Sequence, residues 1–186
     1  MGVHHVAYAT SDLAATHQFY TEVMGFSLVK TMSAPTPQGG WAKHLFYATT
    51  PPDHPGSPGM IAFWDLHIPG LQVDRTAVSV DLGLPDWVNH LAFDAVDEER
   101  FVAKRVALMA AGLEVVELDH EFCRSVYAHD PNGNLVEWCL DVRPFNAEEA
   151  IQAEVARLAE LPEFDELATL VSYQHAAGPS GVEPGV

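Results

Sequence analysis

The feature that most constrains this chain is an internal repeat. Val3-His4-His5-Val6-Ala7-Tyr8 recurs 85 residues later as Val88-Asn89-His90-Leu91-Ala92-Phe93, with a histidine at the same place in both copies. The segments after each copy correspond as well. Val3–Thr10 alternates and is rich in β-branched and aromatic residues, which is strand patterning. Asp12 opens a helical stretch from Leu13 to Met24, with Leu13, Thr16, Phe19, Tyr20 and Val23 on one stripe. Gly25 closes it before a strand at Phe26–Lys30. In the second copy the strand is His90–Asp94, and Asp97 stands 85 residues after Asp12. A helix then runs to about Ala111, and Gly112 precedes a strand at Leu113–Leu118. Further on, the run Gly59 to Leu66 matches Gly133 to Leu140 at its Gly, Trp and Leu positions, a register that pairs Glu137 with Phe63. The expected fold is α+β, with two tandem β-α-β-β-β modules, residues 1–70 and 88–142. Residues 71–87 link them, and 143–186 form a C-terminal extension.

Two segments interrupt the pattern. Ser33–Gly40 and Pro51–Gly59 are rich in Pro and Gly and are expected as loops. In the extension, Asn146–Leu161 reads as an acidic amphipathic helix with Ala150, Ala153, Ala156, Leu158 and Leu161 among its apolar positions. Its apolar stripe is expected to pack on the modules or on a second subunit, so a homodimer or higher homo-oligomer is left open. Pro162 interrupts it, a short helix is expected near Phe164–Leu170, and the tail from Ala176 has a disordered composition. Twenty-six acidic against nine basic residues give a net charge of −17, which argues against nucleic-acid or anionic-membrane partners. No apolar run approaches the roughly 18 residues of a membrane span. Two cysteines, Cys123 and Cys139, make no disulfide framework. A soluble cytoplasmic protein acting on a small molecule is the expectation.

The chemistry sits on the repeated strands. Alternate side chains of a strand share a face, so His5 lies with Ala7 and Ala9, and His90 with Ala92. Small neighbours leave room for a ligand. His4 competes with His5 for the first position, and the repeat register favours His5. A carboxylate on an apolar strand is costly unless paired or metal-bound, which singles out Glu137 between Val136 and Trp138. Two imidazoles and one carboxylate with open positions is the ligand set of non-haem Fe(II) oxygenases. His5, His90 and Glu137 are therefore the candidate metal ligands, and Phe46, Phe63, Trp64 and Trp138 are candidates for a ring-sized pocket.

These residues carry a family resemblance. The module pattern, the Thr10-Ser11-Asp12-Leu13 helix start and the strand histidines resemble the vicinal oxygen chelate superfamily over roughly residues 3–142. Within it, the spacing His120, Val126-Tyr127, Asp130-Pro131, Gly133, Glu137 resembles the signature of type I extradiol ring-cleavage dioxygenases, with Leu118 as one departure. The resemblance implies an open, cupped mixed β-sheet around a metal site, with Fe(II), or alternatively Mn(II), held by His5, His90 and Glu137. It also implies O2-dependent cleavage of a catechol-like vicinal diol, with His120 and Tyr127 as catalytic residues. The family's proton-shuttling histidine falls here on Thr76, which leaves His67 and His44 as candidates for that role. The alternatives are a glyoxalase-like lyase or epimerase, a fosfomycin-type transferase, or a metal-free binding or resistance protein.

Overall fold

The chain opens with strand β1, His5–Ala9, in a computed structural model that describes residues 3–50, 59–161, 163–164 and 169–173. It forms two compact units, Met1–Phe93 with Ala128–Val136, and Asp94–Tyr127 with Glu137–Val186. In the first unit Asp12 caps helix α1, Leu13–Gln18, by accepting from the Ala15 amide at 2.9 Å. Such a cap is worth about 1 kcal/mol. The stretch expected as one helix does not stay α-helical: Phe19–Val23 is a π-helical turn in which the Met24 amide reaches the Phe19 carbonyl at 3.0 Å. The widened turn carries the fully buried Tyr20 and the nearly buried Phe19 on the core side. Gly25 ends it at φ +75°, as its position in the repeat predicts.

Strands β2 (Ser27–Pro35), β3 (Trp41–Ala48) and β4 (Met60–His67) complete a sheet of order β1-β4-β3-β2. β1 runs parallel to β4 and the other pairs are antiparallel. The expected loop at Ser33–Gly40 is shorter than predicted, because β2 continues to Pro35 and leaves only a turn before Trp41. β2 is an edge strand, where a proline costs no ladder bond. The core lies between the helical stretch and the sheet: Tyr20 and Phe63, neither with exposed surface, stand 4.7 Å apart between ring centres. Most of the expected Pro51–Gly59 loop falls outside the described residues. The linker is not wholly irregular, for it contains helix α2, Val78–Asp81.

Strand β5, His90–Asp94, and the N-cap of helix α3 at Asp97 stand where the repeat predicts them. Helix α3, Glu98–Ala110, is followed by β6 (Val115–Asp119), β7 (Cys123–His129) and β8 (Leu135–Asp141). The second sheet has the order β5-β8-β7-β6-β9, the order of the first sheet with one strand added. That added strand, β9 (Thr169–Tyr173), pairs antiparallel with β6. It corrects the expected helix near Phe164–Leu170, whose last two residues begin this strand and whose residues 165–168 lie outside the described part, as does the tail from Ala176. Buried Glu117 on β6 takes hydrogen bonds from Arg105 at 2.6 Å and Arg124 at 2.8 Å, and Arg124 also pairs with Glu98. Burial alone would raise the Glu117 carboxyl, but those two guanidinium bonds bring it below the ordinary glutamate value.

Helix α4, Ala147–Leu158, is shorter than Asn146–Leu161 and buries no residue in this chain. The expectation that its stripe packs on the modules is not met. It is stabilised locally instead. Asn146 and Glu149 form a capping box, and Arg143 pairs with Glu149 at 2.7 Å. Among the described residues no helix is long and apolar enough to cross a membrane.

Candidate functional site

Backbone hydrogen bonds fix how the two copies correspond. The Thr10 amide reaches the Trp64 carbonyl, and the Ala95 amide reaches the Cys139 carbonyl, at 2.9 and 2.8 Å. Thr49 to Gly59 and Asp130 to Asn134 form a second matching pair of bonds. Trp64 therefore answers to Cys139, and Glu137 answers to Ala62 rather than Phe63. The sequence match at the tryptophans is off by one residue, and in a strand one residue changes the face. Phe63 belongs to the helix-covered face with Tyr20 and Tyr47 and lines no open surface. The counterpart of the carboxylate is an alanine, so the first module still offers no metal-binding atom there.

In the first unit, the ladder β1–β4–β3 puts His5, Ala7, Ala62, Trp64, His44 and Phe46 on the face opposite α1. His5 lies 5.4 Å from Phe46 and 6.1 Å from His44, ring centre to ring centre. His44 stacks on Trp64 at 3.8 Å. Burial, then the neighbouring His5, hold the His44 imidazole below the ordinary histidine value, and its Nε2 is buried with no hydrogen-bond partner among the described residues. His4 precedes β1, so it escapes strand alternation, and its Nδ1 comes within 2.8 Å of His5 Nδ1. His67 is elsewhere: it sits on the opposite face, stacked on Trp41 at 3.6 Å and 2.9 Å from Asp65. His90, exposed like His5, sends Nδ1 to the Trp87 carbonyl at 3.1 Å. A carbonyl only accepts, so Nδ1 carries the proton and Nε2 the lone pair of the neutral ring. That is the orientation a backbone partner gives a metal-binding histidine.

The turn leading into β8 also belongs to the first unit. Asp130 accepts from the Asn132 and Asn134 amides at 2.9 and 2.8 Å and from the Tyr20 hydroxyl at 2.9 Å. Asn132 donates to Thr16 at 3.1 Å, and Thr16 bonds Thr10 at 2.8 Å. All five side chains are nearly or fully buried, so the Asp130-Pro131-Asn132-Gly133 part of the signature works as a structural clamp.

In the second unit Glu137 is 5% exposed and accepts from the Ser125 hydroxyl at 2.5 Å. The hairpin register set by the Asp130–Asn134 and Phe122–Val142 bonds puts Tyr127 across from Glu137 and Ser125 across from Cys139. His120 Nε2 lies 3.1 Å from the Tyr127 hydroxyl. Burial pushes the Tyr127 phenol up to about 12, opposed by its bond with Ser125 and helped by the charge of Glu137. At neutral pH Tyr127 is therefore a proton donor. Burial likewise pushes the Cys139 thiol up to about 12. Trp138 faces α3, under Lys104 at 4.4 Å, and not the side of Glu137. Alternation on β7 puts Ser125 on the face of Tyr127, but nothing in the sequence marks it as a partner of Glu137.

Among the described residues no three His, Cys, Asp or Glu side chains are gathered as a metal site. His5 and His90 belong to the first unit and Glu137 to the second. Taken one by one, each is a donor of a kind that divalent metals accept: an imidazole on an exposed strand position in His5 and His90, and a carboxylate held by a hydroxyl in Glu137.

No curated protein matches the chain. Among solved structures it is similar to a glyoxylase/bleomycin resistance protein/dioxygenase domain from Frankia sp. EAN1pec, with 17% identity, TM-score 0.54, and coverage of 76% of this chain and 98% of that one. A Bacillus subtilis subsp. subtilis str. 168 protein provisionally named a dioxygenase gives 17% identity and TM-score 0.53, covering 75% of this chain and 40% of that one. The fosfomycin resistance protein FosX of Listeria monocytogenes gives 18% and 0.48, covering 80% and 97%. Residues 2–138 match the family described as the Glyoxalase/Bleomycin resistance protein/Dioxygenase superfamily, and the chain is a member of it.

Proposed function

We propose that the protein is a metal-dependent dioxygenase of the extradiol type, acting on a catechol-like vicinal diol with O2. His5, His90 and Glu137 would hold Fe(II), with Mn(II) as the other ion this ligand set accepts. The observation that carries the reading is the line of side chains in the second unit: Ser125 bonded to Glu137, Tyr127 across from Glu137, and His120 on the Tyr127 hydroxyl. When bound, the metal would supply Lewis acidity toward the diol and O2. Ser125 fixes the carboxylate rotamer. Tyr127, kept protonated by its burial, donates a hydrogen bond to an anionic diol oxygen, and His120 relays a proton through the Tyr127 hydroxyl. Phe46 and Trp64, on the face of His5, offer apolar surface to a ring. His44 is a better candidate than His67 for moving a second proton, since it shares the face of His5.

A lyase of the glyoxalase kind, with a fourth protein ligand, is disfavoured by Ala62 at the place of the second carboxylate. The test is to load the protein anaerobically with Fe(II), admit air with a panel of catechols, and follow O2 uptake and product absorbance. Turnover is expected in the wild type and loss of more than about 100-fold in His90→Ala and Glu137→Ala. Undiminished turnover in either variant would sink the assignment.

A further inference from the structure

The linker helix α2 has no part in the signature, yet it is tied at both ends to segments that lead into functional strands. Its first amide, Val78, donates to the Asn134 side chain at 2.8 Å, and Asn134 is itself held through its amide by Asp130. Gly133 lets the linker approach: a Cβ there would stand 3.0 Å from Ala77 Cβ. Within the helix, Ser79 is 4% exposed, an uncommon place for a serine unless its hydroxyl is used. It accepts from the Asn89 amide at 2.7 Å and lies 3.5 Å from the Asn89 carbonyl, to which it donates. Asn89 immediately precedes His90. Between them, the turn from Leu84 to Val88 is closed by Leu84 to Ser79 and Val88 to Pro85 backbone bonds, and it presents the Trp87 carbonyl to His90 Nδ1.

We infer that Ser79 is a positioning residue for His90. By holding both backbone groups of Asn89 it sets the His90 main chain against the Trp87 carbonyl, and so fixes the Nδ1–H tautomer, in which Nε2 carries the lone pair. The inference rests on the proposed metal role of His90 for its purpose, but not for its geometry. Ser79→Ala removes the hydroxyl at almost constant volume, and Ser79→Thr restores it.

Two measurements decide the matter, each made well below the melting transition of the variant concerned so that lost stability does not count. The first is the His90 ring tautomer in metal-free protein, read by long-range nitrogen–proton NMR. The second is affinity for Co(II), read by titration of its visible absorption. The expected result is an Nδ1–H ring in the wild type, a mixture of tautomers and about 10-fold weaker Co(II) binding in Ser79→Ala, and recovery of both in Ser79→Thr. An unchanged tautomer in Ser79→Ala overturns the inference. A wild type that holds the Nδ1–H ring but takes up no Co(II) removes the metal reading instead, and leaves the positioning role to be judged on the tautomer alone.

Discussion

A carboxylate with 5% exposure survives in a folded chain only when its oxygens are used, and Glu137 uses one of them on Ser125. Ser125 has no exposed surface at all, so its hydroxyl has no water to turn to. Ser125→Ala is expected to cost about 1.5–3 kcal/mol, the range for a hydrogen bond to a charged acceptor, read as a fall in the urea midpoint with unchanged slope. A variant as stable as the wild type would mean that other donors hold Glu137. Tyrosines give a second prediction. Tyr127 and Tyr47 are both pushed to about 12 from an ordinary 10.0, chiefly by burial, and Tyr20 is raised further by burial and Asp130. Above pH 10 the unfolded chain gives up phenolic protons that the folded chain keeps. The folded state then binds more protons, so stability is fully present below pH 10 and is lost as pH rises through about 12. The urea midpoint should be level up to pH 10 and fall beyond it, in step with tyrosinate absorbance. A midpoint that stayed level to pH 12 would refute the burial of these phenols.

Elements in this chain are set by their ends. Asp12 and Asp97 cap helices, and Gly25 and Gly112 at φ +75° and +81° close the turns after them, all at matching places in the repeat. Gly133 is bound by two constraints, since it holds φ +79° and a Cβ added to it would stand 3.0 Å from Ala77 Cβ, whereas Gly83 holds φ +76° with open space around it. Gly83→Ala is expected to cost about 1 kcal/mol for the left-handed backbone alone. Gly133→Ala should cost on the order of 2–3 kcal/mol, because the contact is added. Equal losses in thermal denaturation would show that the linker gives way. Such local signals made the two β-α-β-β-β modules legible, because caps, glycines and periodicity all lie within a few residues of one another. The illegible parts depend on partners far along the chain. Thr169–Tyr173 becomes a strand because the edge of β6 is there to pair with it. The π-helical turn arises from the need to bury both Phe19 and Tyr20, which no local propensity encodes. For α4 the sequence showed a stripe but not whether anything would cover it. Ile151 and Val155 are each 67% exposed, so Ile151→Gln and Val155→Gln should leave stability within about 0.5 kcal/mol. A larger loss that shrank on dilution would mean that a second copy covers the stripe.

At the scale of the whole molecule, duplication explains both what could be foreseen of the candidate site and what could not. Repetition placed His5 and His90 at like positions without any knowledge of packing. It failed at Glu137, where two tryptophans one residue out of register suggested Phe63 as the counterpart and the hydrogen-bonded ladder supplies Ala62. His44 and His67 looked equivalent as shuttles, and only the pairing of β3 with β4 puts them on opposite faces. Charge is the other property that belongs to no single element. With 26 acidic and nine basic residues the molecule repels itself, and most of those carboxylates are exposed. The Debye length shrinks from about 30 Å at 0.01 M salt to about 8 Å at 0.15 M, so the repulsion is long-ranged only in dilute salt. Stability should therefore rise with NaCl, mostly below about 0.15 M, because more repulsions than attractions are screened. The Arg105–Glu117–Arg124 cluster should behave differently, as Glu117 has only 7% exposure and its partners touch it at 2.6 and 2.8 Å. Glu117→Gln is expected to cost about 2 kcal/mol, less than a fully buried pair because both guanidiniums keep some water, and to cost the same at either salt concentration. Urea unfolding of both proteins at the two concentrations separates the effects. A wild-type midpoint that fell with added salt would show that favourable ion pairs outweigh the acidic surplus, and a Glu117→Gln penalty that vanished in salt would place that cluster at the surface.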